Sequence, residues 1–355
     1  QHPAHQERLL HLTGLGVARL TSGLLKPPAW LVAFASRHLP FADAASHELP
    51  LARLLRLSLF QAAIGMATAL LVGTLNRVMI VELGVPAWWV ALSVGLPLLF
   101  APARALIGYR SDTHPSALGL KRLPYLWMGS LLMFAGLAMM PFALLLLSDA
   151  PEGTLWFGRL GAALAFLLVG MGMHTTQTAG LALATDLAPP ERQPQVVGLM
   201  YVMQLIGMIG SALVLGFLLH DYSPGQLIRV VQAVAVTTLV LNVIALWKQE
   251  PRSRLRKPGT PIEYTFTQSW QLFCQGQHTV RRLLAVGLGT MAFTMEDVLL
   301  EPYGGEILHM SVSSTTLLSA TLALGGLLGF AWASRVLGRG GDAYRMSGWG
   351  AWIGL

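Results

Sequence analysis

LSLFQAAIGMATALLVGTLNRVMIV, which is residues 57–81, contains one charged side chain, that of Arg77. A helix needs roughly 20 consecutive and mostly apolar residues to cross the hydrocarbon core of a bilayer. This stretch therefore predicts a membrane-spanning helix, and stretches of the same kind recur along the chain. We predict eight complete spans and a ninth that begins near residue 343, and we place the eight at 57–81, 86–106, 124–147, 155–180, 196–219, 226–247, 283–300 and 313–336.

The overall composition supports a membrane protein. Of the 355 residues, 54% are apolar and 12% are charged, whereas a soluble domain has about 25% charged residues. The net charge of +7 would suit a nucleic-acid-binding protein, but the basic residues are scattered between apolar stretches. Basic loops on one side of a membrane explain the same charge better. The single cysteine, Cys274, cannot form a disulfide within the chain.

The positions of the basic residues predict the orientation. The N-terminal segment and the segments that follow the even-numbered spans hold 21 of the 24 Lys and Arg residues. Only Arg77, Arg159 and Arg229 fall toward the other side. Because cytoplasmic loops are enriched in Lys and Arg, we expect a multi-pass protein of the bacterial inner membrane with a cytoplasmic N-terminus.

The chain divides into four predicted regions. Residues 1–56 form an interfacial N-terminal segment, with an amphipathic helix between Arg8 and Leu24. Residues 57–247 form a six-span bundle, and 248–282 form a basic cytoplasmic linker. Residues 283–355 begin a second bundle that stops inside its third span. This order indicates an all-α membrane protein with two halves built as parallel repeats, of which the second is incomplete.

A charged loop carries the first resemblance. Gly108-Tyr-Arg-Ser-Asp112 follows the second predicted span, and Lys121-Arg122 precede the third. The major facilitator superfamily has a Gly-x-x-x-Asp-Arg-x-Gly-Arg-Arg/Lys loop here, although Thr113 replaces the usual Arg in this chain. The resemblance implies the major facilitator fold, with two six-helix halves. A charged latch at the cytoplasmic face, in which Asp112 caps or attracts a helix N-terminus, is one interpretation, and an ordinary basic loop is the other. The candidate latch residues are Gly108, Arg110, Asp112, Lys121 and Arg122.

Four separated stretches carry a more specific resemblance. They are LNRVMIVELGVP at 75–86, RALIGYRSDTH at 104–114, HTTQTAGLALATD at 174–186 and EDVLLEPYGGE at 296–306. In this order they are similar to the light-harvesting assembly proteins of the PucC/LhaA type, the bacteriochlorophyll-delivery branch of that superfamily. The resemblance extends from about residue 40 to the end of the chain.

This resemblance implies an assembly factor in the inner, or intracytoplasmic, membrane of a purple phototrophic bacterium. Its implied cofactor is bacteriochlorophyll, held or passed on, with a carotenoid as a further candidate. Its implied partners are the light-harvesting alpha and beta polypeptides, the reaction-centre core complex, membrane lipid and pigment-synthesis enzymes, and not nucleic acid. The long N-terminal segment favours the core antenna LH1 over the peripheral antenna LH2 as client. We expect no enzymatic activity, since the sequence has no nucleotide-binding or zinc-binding motif.

Two polar residues of the fourth span are candidates for a pigment site. His174 and Gln177 lie one turn apart on the same helical face, and neutral imidazole is a common metal ligand. The magnesium of bacteriochlorophyll accepts one axial ligand of this kind. A hydrogen bond from His174 to Thr178 or to a helix carbonyl is the structural alternative.

Charged residues inside a membrane are costly, so they indicate function by default. The intramembrane candidates are Asn76, Arg77, Glu296, Asp297 and Glu301. We predict that Glu296 and Asp297 lie well inside the seventh span and that one of them pairs with Arg77. Alternatively, the two carboxyls titrate in a proton-coupled small-molecule transporter. An assembly factor predicts an apolar groove open to lipid, a transporter predicts a polar central cavity, and a scaffold without a pigment site is a third possibility.

Overall fold

The computed structural model describes residues 28–38, 41–46, 49–113, 119–148, 155–251 and 265–353. Its longer elements in these ranges are helices, which we number in chain order: α1 (Ala29–His38), α2 (Leu51–Glu82), α3 (Ala87–Thr113), α4 (Leu123–Ser148), α5 (Leu155–Leu187), α6 (Gln193–Leu218), α7 (Pro224–Leu246), α8 (Phe266–Gln275), α9 (Thr279–Glu306), α10 (Val312–Gly338) and α11 (Ala343–Ile353). The amphipathic helix predicted between Arg8 and Leu24 lies outside the described residues.

Eight of the described helices, α2–α7, α9 and α10, are long and apolar enough to cross a membrane. They coincide with the eight predicted spans, which confirms the all-α membrane class. The predicted bounds are too short in places. The helix α2 begins at Leu51 rather than at residue 57, and α9 continues to Glu306 rather than ending at residue 300.

The helix α2 lies at the centre of the described bundle. It packs against α6, where two glycines bring the backbones together. A Cβ on Gly65 would lie 2.1 Å from the carbonyl oxygen of Gln204, and a Cβ on Gly207 would lie 2.3 Å from that of Ala62. Such small residues permit close helix packing where the surrounding lipid provides no hydrophobic driving force.

The helix α2 is also irregular. Its backbone is π-helical over Ala69–Leu75 and again over Val78–Glu82, on either side of Asn76 and Arg77. Single π-helical turns of this kind are rare and often lie at functional sites. This irregular part of α2 faces α9 and α10.

The helix α3 is interrupted between Leu99 and Ala103. Pro102 has no backbone N–H to continue the helical bonding, which accounts for the break. Just before it, Pro97 packs into α5 at Gly170, where a Cβ would lie 2.2 Å from the Cβ of Pro97. The break therefore holds the second half of α3, with Arg104, against α5.

The predicted cytoplasmic linker contains a helix that we did not predict. The helix α8 begins with a capping box formed by Thr265 and Gln268. Its aromatic rings stack along one face, with Trp270 between Phe266 and Phe273. Capping and a strong apolar face are sufficient to stabilise a short helix at an interface.

Candidate functional site

A cavity of about 240 Å³ lies between α2, α3, α5 and α6. Its walls are mostly apolar, and the polar side chains that line it are Thr68, His174, Gln177 and Gln204. Leu98 also lines the cavity and is 67% exposed, so the cavity opens at the exposed side of α3. We call this cavity the His174 pocket.

A chain of hydrogen bonds closes the polar end of the His174 pocket. Arg104 Nη2 donates to Gln177 Oε1 at 3.1 Å, and Gln177 Nε2 donates to Gln204 Oε1 at 3.1 Å. Arg104 Nε donates to Thr178 Oγ1 at 3.1 Å. Arg104 therefore belongs to this contact between α3 and α5 rather than to the predicted cytoplasmic loop. Gln204 is a pocket residue that the sequence analysis missed, because its position opposite Gln177 depends on how α6 packs on α5.

The imidazole of His174 differs from its neighbours in having no hydrogen bond to any described residue. Thr178 Oγ1 donates to the backbone oxygen of His174 at 2.7 Å, not to the ring. The predicted alternative, in which the imidazole bonds to Thr178, is therefore wrong. A neutral imidazole has one N–H donor and one nitrogen with a free lone pair, and neither is bonded to a described residue here.

A second polar site lies where α2 meets α9 and α10. We call it the Glu301 seam, and it consists of Thr74, Asn76, Arg77, Glu301, Thr316 and Ser319. All six residues are buried. Thr74 Oγ1 and Thr316 Oγ1 are 3.2 Å apart and share a hydrogen bond.

Asn76 completes the hydrogen bonding of a broken helix turn. Pro302 has no N–H, so it cannot donate to the carbonyl of Val298 four residues earlier. Asn76 Nδ2 donates to that carbonyl oxygen at 2.7 Å. The asparagine thus supplies from α2 the bond that the proline removes from α9.

Arg77 pairs within its own helix. Its Nη1 donates to Glu82 Oε1 at 2.7 Å, and its Nη2 donates to the backbone oxygen of Met310 at 3.0 Å. The predicted pairing of Arg77 with Glu296 or Asp297 is therefore wrong. Glu82 is the last residue of α2, and the π-helical turn there brings its carboxylate to Arg77.

Glu301 is the buried carboxyl of the seventh span. Its side chain is fully buried, whereas Glu296 is exposed and Asp297 is partly exposed. Ser319 Oγ donates to Glu301 Oε1 at 2.5 Å. Burial does not follow the position along the span, because α9 turns Glu301 toward α2 and leaves Glu296 and Asp297 on a side that the described residues cover less.

The candidate latch contains one central residue. Arg122 pairs with Asp112 and with Asp186, where Arg122 Nε to Asp186 Oδ2 is 2.7 Å, and it donates to Ser111 Oγ at 2.9 Å. Burial lowers the pKa of Arg122, but the hydrogen bond and charge of Asp186, together with those of Asp112, outweigh it and raise the pKa. Arg122 thereby joins α3, α4 and α5.

The other latch candidates contribute less. Arg110 is exposed, and a Cβ added at Gly108 would make only an ordinary contact with Thr178. The carboxylate that holds the N-terminus of α4 belongs to Glu250, which accepts hydrogen bonds from the backbone nitrogens of Lys121, Arg122 and Leu123. We assigned a capping role to Asp112. The structure gives that role to Glu250, which comes from the end of α7 and gave no signal in the sequence.

Comparison with known proteins identifies close relatives. Residues 74–355 match the sequence model of a family described as PUCC protein. The chain is 60% identical over 329 residues to Protein PucC of Rhodovulum sulfidophilum, which covers 90% of this chain and 72% of that protein. It is 57% identical over 328 residues to Protein PucC of Cereibacter sphaeroides, covering 92% and 72%. It is 56% identical over 325 residues to Protein PucC of Rhodobacter capsulatus, covering 89% and 70%.

Proposed function

The chain belongs to the PUCC protein family, and from that premise we propose that it is a membrane assembly factor for the light-harvesting antenna of a purple phototrophic bacterium. It holds or passes on bacteriochlorophyll and docks antenna polypeptides. We propose the core antenna LH1 as its client, and the intracytoplasmic part of the inner membrane, with the N-terminus cytoplasmic, as its location. The role requires no catalysis.

The observation that carries this proposal is the unbonded imidazole of His174 in an apolar pocket. Bacteriochlorophyll supplies a magnesium ion with one open axial position, which a neutral imidazole nitrogen can fill. Gln177 is already bonded on both sides, to Arg104 and to Gln204, so it positions its neighbours rather than binding the metal. His174 is therefore the candidate ligand of the pair.

The dimensions of the pocket suit a carrier rather than a permanent holder. Sites that enclose drug-sized molecules have volumes of roughly 300–1,000 Å³, and this pocket has about 240 Å³. It accommodates part of a large pigment and leaves the remainder at the lipid-facing opening beside Leu98. A pigment held in this way stays accessible to a single-span antenna helix that docks on the same face.

The test is an absorption spectrum and pigment extraction of the detergent-purified protein. We expect bound bacteriochlorophyll in the unmodified protein and a several-fold loss per polypeptide in His174→Ala. His220→Ala is the matched control, because that imidazole is 79% exposed and lies in the loop between α6 and α7. Equal amounts of pigment in the two variants would show that the pigment binds outside the pocket. Absence of pigment from the unmodified protein would contradict the proposal that the protein holds bacteriochlorophyll.

The same preparations test the client. An LH1 assembly factor should retain LH1 alpha and beta polypeptides through mild purification in preference to those of LH2. Retention of LH2 polypeptides alone would be consistent with an assembly role but would show that the client is LH2 rather than LH1.

One observation favours a different function, a proton-coupled small-molecule transporter. Such a transporter needs a titratable carboxyl inside the membrane, and Glu301 is one. The His174 pocket, however, lies within the first six spans and is mostly apolar, which favours the assembly role. Solute uptake into proteoliposomes that depends on a pH gradient and on Glu301 would reverse this preference.

A further inference from the structure

Glu301 is the starting point, because its carboxyl is only partly bonded although it is fully buried. Ser319 donates to Oε1, and Thr316 lies beside the carboxyl. Oε2 has no hydrogen-bond partner among the described residues. A buried carboxylate with so few donors is costly, and taking up a proton removes that cost.

Few charged groups face this carboxyl. From α2 they are Arg77 and Glu82, which already pair with each other. The part of α10 that packs on the seam contributes only hydroxyls, and Arg335 lies at the far end of that helix. The titratable side chain of α6 is Tyr201, and that of α8 is Cys274. On α9 itself the titratable groups are Arg281, Arg282, Glu296, Asp297, Tyr303 and Glu306.

The register of α2 and α9 places Arg77 one turn from Glu301. A Cβ on Gly73 would lie 2.2 Å from Glu301 Oε1, and a Cβ on Gly305 would lie 2.8 Å from Arg77 Nε. Residue 73 is thus level with 301, and residue 77 is level with 305. One helical turn is about 5.4 Å along the axis. Arg77 Nε, like Glu301 Oε2, has no hydrogen-bond partner among the described residues.

We propose that Glu301 is a proton-binding site whose occupancy decides whether Arg77 pairs with Glu82 or with Glu301. With the proton bound, Glu301 is neutral, and Arg77 stays with Glu82 and Met310, as observed. When the proton leaves to the aqueous side at which Glu82 is 32% exposed, the buried carboxylate attracts the guanidinium. Glu82 is then hydrated at the end of α2.

The backbone of α2 is suited to such an exchange. The π-helical turns before and after Arg77 depart from regular α-helical bonding, so the segment can rewind without breaking a continuous helix. The exchange changes how α2 is attached to α9 and α10, because Arg77 also donates to the backbone oxygen of Met310, just before α10. Proton binding is thereby coupled to the contact between the six-span bundle and the spans that follow it.

Infrared difference spectroscopy of the purified full chain tests the proton site. We expect the C=O stretch of a protonated carboxyl at neutral pH, lost in Glu301→Gln and retained in Glu306→Gln. The second variant is the matched control, because Glu306 is exposed on the same helix. Absence of the band from the unmodified protein, or its persistence in Glu301→Gln, would overturn the proposal.

Titration of the same band tests the exchange of partners. In Glu82→Gln, Arg77 has no competing carboxylate and is free to stabilise the ionised Glu301. We expect the pH at which half of the band has disappeared to fall by about one unit in this variant. Glu301 itself is unchanged in the experiment. An unmoved midpoint would show that Arg77 does not respond to Glu301, which would overturn the exchange.

Discussion

The His174 pocket and the Glu301 seam both contact α2, and both contain polar side chains of membrane-spanning helices. They differ in how far those side chains are buried and hydrogen-bonded. In the seam, six side chains are buried and most of their donors and acceptors are matched across three helices. In the pocket, the polar residues are partly exposed, and the imidazole of His174 has no partner among the described residues. Among the seam's buried side-chain atoms only Glu301 Oε2 and Arg77 Nε lack a partner in the described part of the chain, whereas the pocket leaves a whole imidazole unbonded. Polar groups inside a membrane indicate function by default, so we propose a ligand for the pocket and a proton for the seam.

The largest expected effect on stability comes from a substitution that places extra atoms in the seam. Gly73→Val should lower the free energy of unfolding by about 3 kcal/mol, because the new side chain would occupy the position of the Glu301 carboxyl. Gly210→Val is the control, since no atom lies within 4 Å of a Cβ there, and it should stay within about 0.5 kcal/mol. Reversible unfolding in detergent measures both. Equal costs would show that α2 and α9 are not in close contact.

A smaller effect should appear at Asn76. Asn76→Ala leaves the carbonyl of Val298 unbonded and should cost about 2 kcal/mol. In a Pro302→Ala background, the new backbone N–H can bond to that carbonyl, so the same substitution should cost about 1 kcal/mol less. The double-mutant cycle measures this coupling by unfolding. A cycle without coupling would contradict the view that Asn76 replaces the bond removed by the proline.

The smallest effect on stability is expected in the pocket. Gln177→Leu removes hydrogen bonds to Arg104 and Gln204, but the partners are only partly buried, so the cost should be about 0.6 kcal/mol. Unfolding measured beside Asn76→Ala gives the comparison directly. A cost as large as that of Asn76→Ala would make the pocket a structural contact like the seam.

The sequence predicted the elements of the fold well. Eight apolar stretches became eight membrane-length helices, because the thickness of a bilayer sets a length requirement that each stretch meets on its own. The one-turn spacing of His174 and Gln177 placed both residues on one wall of the pocket. The motif beginning at Gly108 identified Asp112 and Arg122 as latch candidates, but the ion pairs of Arg122 with Asp112 and Asp186 follow from the packing of α3, α4 and α5.

The sequence by itself therefore determined the membrane class, the eight spans of the described residues and the family, because hydropathy and the order of motifs can be read directly along the chain. Only the tertiary structure decided which polar groups meet. In the structure Arg77 forms an ion pair with Glu82, Glu301 rather than Glu296 is buried in the seam, and Gln177 donates a hydrogen bond to Gln204. These contacts depend on the rotation and register of each helix against its neighbours, and packing sets both after the helices have formed.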